Sequence, residues 1–185
     1  MHLAEHRITD CCQIMSPNCD ERPDPDDISL IVIHCISLPP GEFGTACIDQ
    51  LFCNDLNPAD HPYFESIHQL KVSAHLLIKR TGEITQYVPF NLRAWHAGMS
   101  EYQGRQRCND FSIGIELEGT DTTRYTSEQY TQLIAVIDCL LKHYPKLSRQ
   151  AITGHSDIAP GRKTDPGPAF DWDRLFKGLP EVSQD

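Results

Sequence analysis

The sequence lacks the patterns that mark membrane and secreted proteins. None of its apolar runs reaches the 18 or so residues that a membrane-spanning helix requires. The first residues show no basic stretch followed by an apolar one, so we expect no secretory signal. The eight cysteines form no Cys-x-x-Cys pair. We therefore expect reduced thiols in a cytoplasmic protein, and a disulfide framework is the weaker alternative.

Positive charge is also scarce. The chain carries 16 Lys and Arg against 26 Asp and Glu, which gives a net charge of −10. This net charge argues against a nucleic acid as the main partner, and the lack of a long apolar run argues against a membrane partner. If the substrate is anionic, a local basic patch has to act against the overall field.

Several catalytic motifs are missing from the chain. It has no Gly-x-Ser-x-Gly elbow, no glycine-rich phosphate loop and no His-Glu-x-x-His pair. These absences argue against serine hydrolases of the α/β type, nucleotide-binding enzymes and zincins. A Cys–His nucleophile is not expected from His34 and Cys35, because adjacent residues of a strand point to opposite faces.

What is present is the composition of a globular protein, with 39% hydrophobic and 23% charged residues. The length favours a single domain, residues 1–185. Strands and helices alternate, so we expect an α/β (α+β) fold in which helices flank a mixed central β-sheet. Periodicity and turn residues predict strands at 28–35, 111–119 and 150–155, a hairpin at 74–90, and helices at 46–52, 61–70, 126–145 and 171–176.

Two histidines stand at or near strand ends, where sites of α/β proteins are commonly built. They are His34 and His155, and a segment rich in proline and glycine after His155 carries Lys163 and Asp165. Two histidines and one carboxylate can hold a catalytic Zn²⁺ with one position left open. Spacing alone leaves the alternative of surface or core histidines open, since nine histidines offer many such triples.

Amide hydrolysis at such a centre also needs a base and a cation for the developing oxyanion. Glu116 is the candidate base, because it lies in an apolar strand where desolvation raises the pKa of a carboxyl group. Lys163 is the candidate cation. The alternatives are a solvated strand face for Glu116 and a solvated loop position for Lys163.

Long blocks of the sequence resemble one enzyme family. The blocks VIH, VSAHLLI, RAWHAG, EYQGRQRCNDFSIGIELEGTD and TGHSDIAPGRKTDPGPAFDW occur in the same order in the zinc N-acetylmuramoyl-L-alanine amidases. The resemblance is strongest to the members that act on 1,6-anhydro-N-acetylmuramyl peptides in Gram-negative bacteria. It covers residues 29–176, and it favours the metal interpretation over chance spacing.

The resemblance implies a fold like that of peptidoglycan-recognition proteins and lysozyme-type amidases. It also implies hydrolysis of the amide between the lactyl group of 1,6-anhydro-N-acetylmuramic acid and L-alanine, an anhydromuropeptide substrate and a monomer. The residues it assigns are His34, His155 and Asp165 as Zn²⁺ ligands, Glu116 and Lys163 as catalytic groups, and Tyr63, Lys71, Trp95, Arg107 and Asn109 as substrate-binding groups.

Three positions depart from the family pattern. Lys71 replaces an expected arginine, Cys35 an expected asparagine, and Ala74 a tyrosine that many relatives carry, so Glu116 is expected to act as the base without a tyrosine. A basic patch of Lys71, Arg107, Arg162 and Lys163 is expected to attract the anionic substrate. A non-catalytic peptidoglycan-binding module and an amidase of intact murein remain the alternative functions.

Overall fold

The computed structural model describes residues 1–180 of the chain. It contains twelve short strands: β1 Leu3–Ala4, β2 Arg7–Ile8, β3 Cys12–Gln13, β4 Cys19–Glu21, β5 Leu30–Ile36, β6 Leu76–Ile78, β7 Ile84–Gln86, β8 Leu92–Ala94, β9 Glu101–Tyr102, β10 Arg105–Gln106, β11 Ser112–Glu118 and β12 Ile152–Gly154. The helices are α1 Cys47–Cys53, α2 Ser127–His143, α3 His155–Ile158 and α4 Trp172–Gly178, with 3₁₀ turns at Pro62–Ser66, Cys108–Asp110 and Arg149–Ala151. The domain expected over 1–185 includes residues 181–185, which lie outside the described residues.

Six of these strands form a mixed central sheet in the order β12-β5-β11-β6-β7-β3. The first four strands of this order run parallel to one another. Strand β7 is antiparallel to β6, as the predicted hairpin requires, and β3 runs parallel to β7. The mixed sheet with flanking helices that the sequence predicts is therefore confirmed.

The central strands β5 and β11 are buried on both faces. Strand β5 is buried from Leu30 to His34, and its continuous apolar run is the pattern expected of a strand covered by chain on both sides. Strand β11 pairs with it over seven residues in parallel register, Ser112 beside Leu30 through Glu118 beside Ile36. This register fixes which side chains of the two strands stand next to each other.

Helix α2 covers one face of the sheet. It begins with the predicted capping box, in which the Thr126 side chain accepts from the Gln129 N–H and the Gln129 side chain accepts from the Thr126 N–H. The apolar residues of its buried face are Tyr130, Leu133, Val136, Ile137 and Leu140. They join the largest hydrophobic cluster, which also contains the apolar side chains of β5 and β11 that face the helix.

Helix α1 agrees with the expected helix at 46–52, but the helix expected over 61–70 is wrong. The structure forms only the 3₁₀ turn Pro62–Ser66, with Pro62 in its first turn and Ile67 outside helical geometry. The N-terminal segment, which the sequence left open, forms the β1–β2 hairpin and supplies β4, which pairs with β8. In residues 1–180, no helix has both the length and the apolar character needed to cross a membrane.

Candidate active site

A row of ionisable side chains crosses three neighbouring strands of the sheet. In the β5–β11 register Glu116 lies directly beside His34, so both side chains project from the same face. On the other side of β5, Gly154 pairs with Ile33, and His155 follows at once. Parallel pairing therefore brings Glu116, His34 and His155 together, although His34 and His155 are far apart in the sequence.

Three potential ligand atoms meet at the centre of this row. His34 Nδ1 lies 2.9 Å from His155 Nδ1, and each of these nitrogens lies 3.1 Å from Asp165 Oδ2. A tetrahedral zinc ion with ligand bonds of about 2.0–2.1 Å holds its ligand atoms about 3.3–3.4 Å apart. The observed spacing is within a few tenths of an ångström of that arrangement, so the three groups can serve one small cation.

The hydrogen bonds on the far side of each ring are compatible with metal binding. His155 Nε2 lies 3.1 Å from the Ala97 carbonyl oxygen, which can only accept, so Nε2 carries the proton and Nδ1 presents a lone pair. His34 Nε2 lies 2.8 Å from His96 Nδ1. Burial lowers the pKa of His34 to about 4, which keeps this imidazole neutral at physiological pH, as a ligand must be.

The segment after His155 is folded back so that Asp165 reaches the two histidines. The Ser156 N–H donates to the Asp165 carbonyl at 2.9 Å, and the Lys163 N–H donates to the Ala159 carbonyl at 3.0 Å. Burial by itself raises the pKa of Asp165, but its interactions with His155 and His34, which a bound cation would replace, outweigh burial, and the net pKa lies well below its ordinary value. Asp165 is therefore ionised at this centre.

Glu116 is the one carboxyl group of β11 that faces the centre without a fixed partner. Its Oε2 is buried and has no hydrogen-bond partner within the described chain. Burial raises the pKa of Glu116 well above its ordinary value, the charge of Asp165 raises it further, and Lys163 opposes the shift. A carboxyl group with a raised pKa and a free oxygen is suited to accept a proton near neutral pH.

Glu118 lies two residues further along the same strand, yet its surroundings are different. One carboxylate oxygen accepts from the Gly44 N–H and the other from the Arg80 N–H at 3.0 Å. Both oxygens are thus engaged by backbone of the adjoining loops. Glu118 therefore fixes those loops to the end of β11.

A cavity of about 670 Å³ opens over this centre. Its walls include His34, Glu116 and Lys163, together with the aromatic rings of Tyr63 and Trp95. The volume is in the range that accommodates a small organic ligand. The Trp95 indole N–H donates to Asp20 Oδ1 at 3.1 Å, so the N-terminal segment fixes one wall of the cavity.

Three of the expected substrate-binding residues are not among those that line the cavity: Lys71, Arg107 and Asn109. Lys71 is exposed, and Arg107 is exposed and pairs with Asp110 at 3.1 Å. Asn109 Oδ1 instead accepts from the N–H groups of His96 and Ala97. Arg162, which is also expected in the basic patch, donates from its guanidinium to the Ala97 and Met99 carbonyls.

Two features of the site involve residues to which the sequence assigned no role. His96 and the Ala97 carbonyl contact the two candidate histidine ligands. The block RAWHAG, which contains both residues, had indicated the family but no role for either residue. Cys35, one of the departures from the family pattern, lines the cavity with its Sγ 3.4 Å from Asp121 Oδ1. Burial raises the pKa of this thiol, so it remains protonated.

A cavity with a potential metal centre, an unpaired buried carboxyl group and a lysine is the arrangement that metal-assisted amide hydrolysis requires. Residues 24–168 match the family described as N-acetylmuramoyl-L-alanine amidase, and the chain belongs to it. This membership confirms both the family and the enzyme class expected from the sequence.

Individual relatives are similar over nearly the whole chain. The 1,6-anhydro-N-acetylmuramyl-L-alanine amidase AmpD of Escherichia coli (strain K12) is 62% identical over 175 residues, which cover 95% of each protein. A crystal structure of a selenomethionine derivative of AmpD superposes with a TM-score of 0.95 at 57% identity, over 97% of this chain and 100% of that one. The structure of AmiD from E. coli, in complex with anhydro-N-acetylmuramic acid-L-Ala-D-gamma-Glu-L-Lys, has a TM-score of 0.61 at 28% identity, over 82% of this chain and 57% of that one.

Proposed function

We propose that this protein is a zinc-dependent 1,6-anhydro-N-acetylmuramyl-L-alanine amidase. It would hydrolyse the amide between the lactyl group of 1,6-anhydro-N-acetylmuramic acid and the L-alanine of the stem peptide during cell-wall recycling. The observation that carries the proposal is the convergence of His34, His155 and Asp165 within about 3 Å of one another, with Glu116 beside them in a cavity. The similarity to AmpD over nearly the whole chain supports the choice of substrate.

The donor set fits zinc in particular. Two neutral imidazoles and one carboxylate are a common ligand set of catalytic Zn²⁺, and they leave a position open for the reaction. His155 presents its lone pair to the centre because the Ala97 carbonyl holds its other nitrogen. When bound, zinc supplies Lewis acidity, which polarises the scissile carbonyl and makes water more acidic.

Glu116 and Lys163 divide the remaining chemistry. Glu116 accepts the proton of the attacking water and passes it to the leaving amine of L-alanine, which its raised pKa favours. Lys163 borders the cavity and stabilises the negative charge that develops on the carbonyl oxygen. The carboxylate of Asp165 contacts the two histidines, and Lys163 forms no ion pair within residues 1–180.

The cavity walls suit a compact sugar better than a long glycan. Tyr63 and Trp95 offer flat apolar surface for the bicyclic anhydro sugar, and the substrate present in the AmiD complex carries that sugar. Lys71, Arg107 and Asn109 are proposed to act on the stem peptide outside the cavity. Lys71 supplies charge there without the bidentate grip that an arginine would give.

We further propose that the enzyme acts as a monomer in the cytoplasm. All eight cysteines, which lie within residues 1–180, are free thiols in the structure, as a reducing compartment allows. A substrate released from the wall and imported would meet the enzyme there.

Product analysis tests the proposal directly. The purified zinc-loaded protein is incubated with anhydromuramyl-tripeptide and, separately, with an intact muropeptide that has a reducing muramyl end, and the products are identified by mass spectrometry. We expect free tripeptide and anhydro sugar from the first and much slower cleavage of the second. Equal cleavage of both would favour a murein amidase, and zinc-loaded protein that cleaves neither would favour a binding module.

A further inference from the structure

The short segment Trp95–Ala97, which follows β8, contacts both candidate histidine ligands from behind. We call it the orienting segment. His96 Nδ1 lies 2.8 Å from His34 Nε2, and the Ala97 carbonyl oxygen lies 3.1 Å from His155 Nε2. One stretch of three residues thus reaches the outer nitrogen of each ring.

The hydrogen bonds through His96 run in one direction only once His34 binds a metal. A ligating Nδ1 must be a lone pair, so His34 Nε2 carries the proton and donates to His96 Nδ1. His96 Nε2 then carries its own proton and donates to Ser112 Oγ, which lies 3.0 Å away. His96 can therefore accept from the tautomer of His34 that metal binding needs, and this contact holds the His34 ring in its orientation.

The position of His96 is built into the central sheet. Its ring lies against Gly114 of β11, where an added Cβ would stand only 2.4 Å from the His96 Cγ. Any side chain at position 114 would therefore displace the ring. The absence of a side chain there lets His96 lie close enough to the sheet to reach both His34 and Ser112.

Asn109 holds the backbone of the same segment. Its Oδ1 accepts from the His96 N–H at 3.1 Å and from the Ala97 N–H at 2.8 Å. These two bonds fix the peptide units that carry the His96 ring and precede the Ala97 carbonyl. One side chain thus supports the contacts to both histidine ligands.

We propose that His96 and Asn109 are positioning residues of the metal centre: the orienting segment presets His34 and His155 for zinc, through the His96 ring and the Ala97 carbonyl. The inference rests on the zinc site of the proposed function and extends it to two residues that do not coordinate the metal. It also gives Asn109 a role apart from the substrate contact expected from the sequence.

Zinc affinity of purified, metal-stripped protein tests the inference without recourse to activity. The apparent Kd for zinc is measured by competition with a chromogenic chelator for wild type, His96→Ala and His96→Asn, and folding is checked by circular dichroism. We expect His96→Ala to bind zinc about 10–100-fold more weakly, the usual effect of losing an outer partner of a ligand. His96→Asn should restore most of the affinity, because its Oδ1 can accept where the imidazole Nδ1 did.

His75→Asn is the matched control. His75 is also a fully buried histidine, its ring centre lies 5.9 Å from that of His96, and its hydrogen bonds go to Gly114, Leu92 and Arg22 rather than to a ligand. Its zinc affinity should match that of wild type. If His75→Asn loses as much affinity as His96→Ala, or if folded His96→Ala binds zinc like wild type, the positioning role of His96 is wrong.

The Asn109 variants decide the matter if His96→Ala does not fold. Asn109→Ala removes the shared acceptor and should weaken zinc binding, whereas Asn109→Asp keeps an acceptor oxygen and should bind nearly as wild type does. Equal zinc affinity in wild type and folded Asn109→Ala would overturn the inference and leave the proposed function intact. Failure of the wild type to bind zinc would instead remove the proposed zinc site, and this inference with it.

Discussion

Replacing Glu116 by glutamine, beside the same change at Glu118, separates a catalytic carboxyl group from a structural one on a single strand. The two residues are two positions apart in β11, so their side chains project from the same face of the sheet. Their partners differ completely. Glu116 Oε2 has none in the described chain, and the Glu118 carboxylate accepts from the N–H groups of Gly44 and Arg80.

Glu116→Gln should reduce turnover and leave binding intact. Glutamine keeps the size and one acceptor oxygen but cannot take up a proton as a carboxylate does. Loss of a general base lowers rates by about 10²–10⁴-fold, so kcat should fall by that factor, or about 2.7–5.4 kcal/mol in barrier, while KM changes little. Zinc content should stay at the wild-type level, because Glu116 is not one of the three proposed ligands.

Glu118→Gln should instead lower stability. The NH₂ group of the glutamine would face a backbone N–H that the carboxylate had accepted from. That buried N–H would then have no acceptor. The loss of a charge-assisted bond of this kind costs about 1–3 kcal/mol, and each kcal/mol lowers Tm by about 2–4 °C in a chain of this size. The folded fraction should retain kcat close to wild type at a temperature well below Tm.

The pH dependence of stability gives an independent test of the raised pKa of Glu116. Its folded-state pKa is raised by burial, so the metal-free wild type loses stability as pH rises from the ordinary carboxyl pKa of about 4.3 through the raised value. Glutamine has no such loss. Metal-free Glu116→Gln should therefore unfold at a higher temperature than wild type at pH 8, and the difference should shrink toward pH 4.

Steady-state kinetics on anhydromuramyl-tripeptide, zinc content by atomic absorption and thermal unfolding by circular dichroism measure all three effects on both variants. A crippled Glu118→Gln together with a nearly wild-type Glu116→Gln would show that the base has been assigned to the wrong carboxyl group. Loss of zinc from Glu116→Gln would contradict the three-ligand site.

Three further changes test the remaining groups. Asp165→Ala should abolish both zinc binding and activity, because it removes the only carboxylate of the proposed ligand set. Metal analysis and turnover measure the two losses. Full activity of metal-stripped wild type would contradict the site. Lys163→Ala should lower kcat by about 10²-fold or more with little change in KM, as the loss of a group that acts mainly on the transition state does, and a purely higher KM would assign it to substrate binding. Trp95→Ala should remove much of the preference for anhydromuramyl over reducing muramyl substrates, measured as the ratio of kcat/KM, and an unchanged ratio would exclude Trp95 from sugar recognition.

The sequence predicted the central sheet because its strands follow from local patterns and pairing. The apolar run of β5 and the alternation of β11 identify two central strands, and parallel pairing then brings their ends to one edge. It did not predict the register that sets Glu116 beside His34, since register depends on packing across the sheet. The resemblance to known amidases, rather than spacing, selected His34, His155 and Asp165 from nine histidines and many carboxylates.

Side chains that act through hydrogen bonds to other side chains were the hardest to predict. The role of His96 depends on Gly114, Ser112 and His34, which lie on two other strands, so no window of sequence contains it. The backbone conformation of Arg107 was equally hard to predict. It is left-handed, with φ of 62°, at the start of the 3₁₀ turn Cys108–Asp110, and arginine seldom adopts that conformation.

The segment from His155 to Asp165 shows how an irregular stretch can hold a candidate metal ligand in a fixed place. Proline and glycine at 160, 161 and 166 end helix α3 early and prevent a longer one, so the chain turns back within ten residues. Its own backbone bonds then close the turn, from Ser156 to Asp165 and from Lys163 to Ala159. A regular helix over the same residues would carry His155 and Asp165 about 15 Å apart along its axis, too far to share one ion. These prolines and glycines therefore let two candidate ligands ten residues apart meet, and they bring Lys163 to the edge of the same cavity.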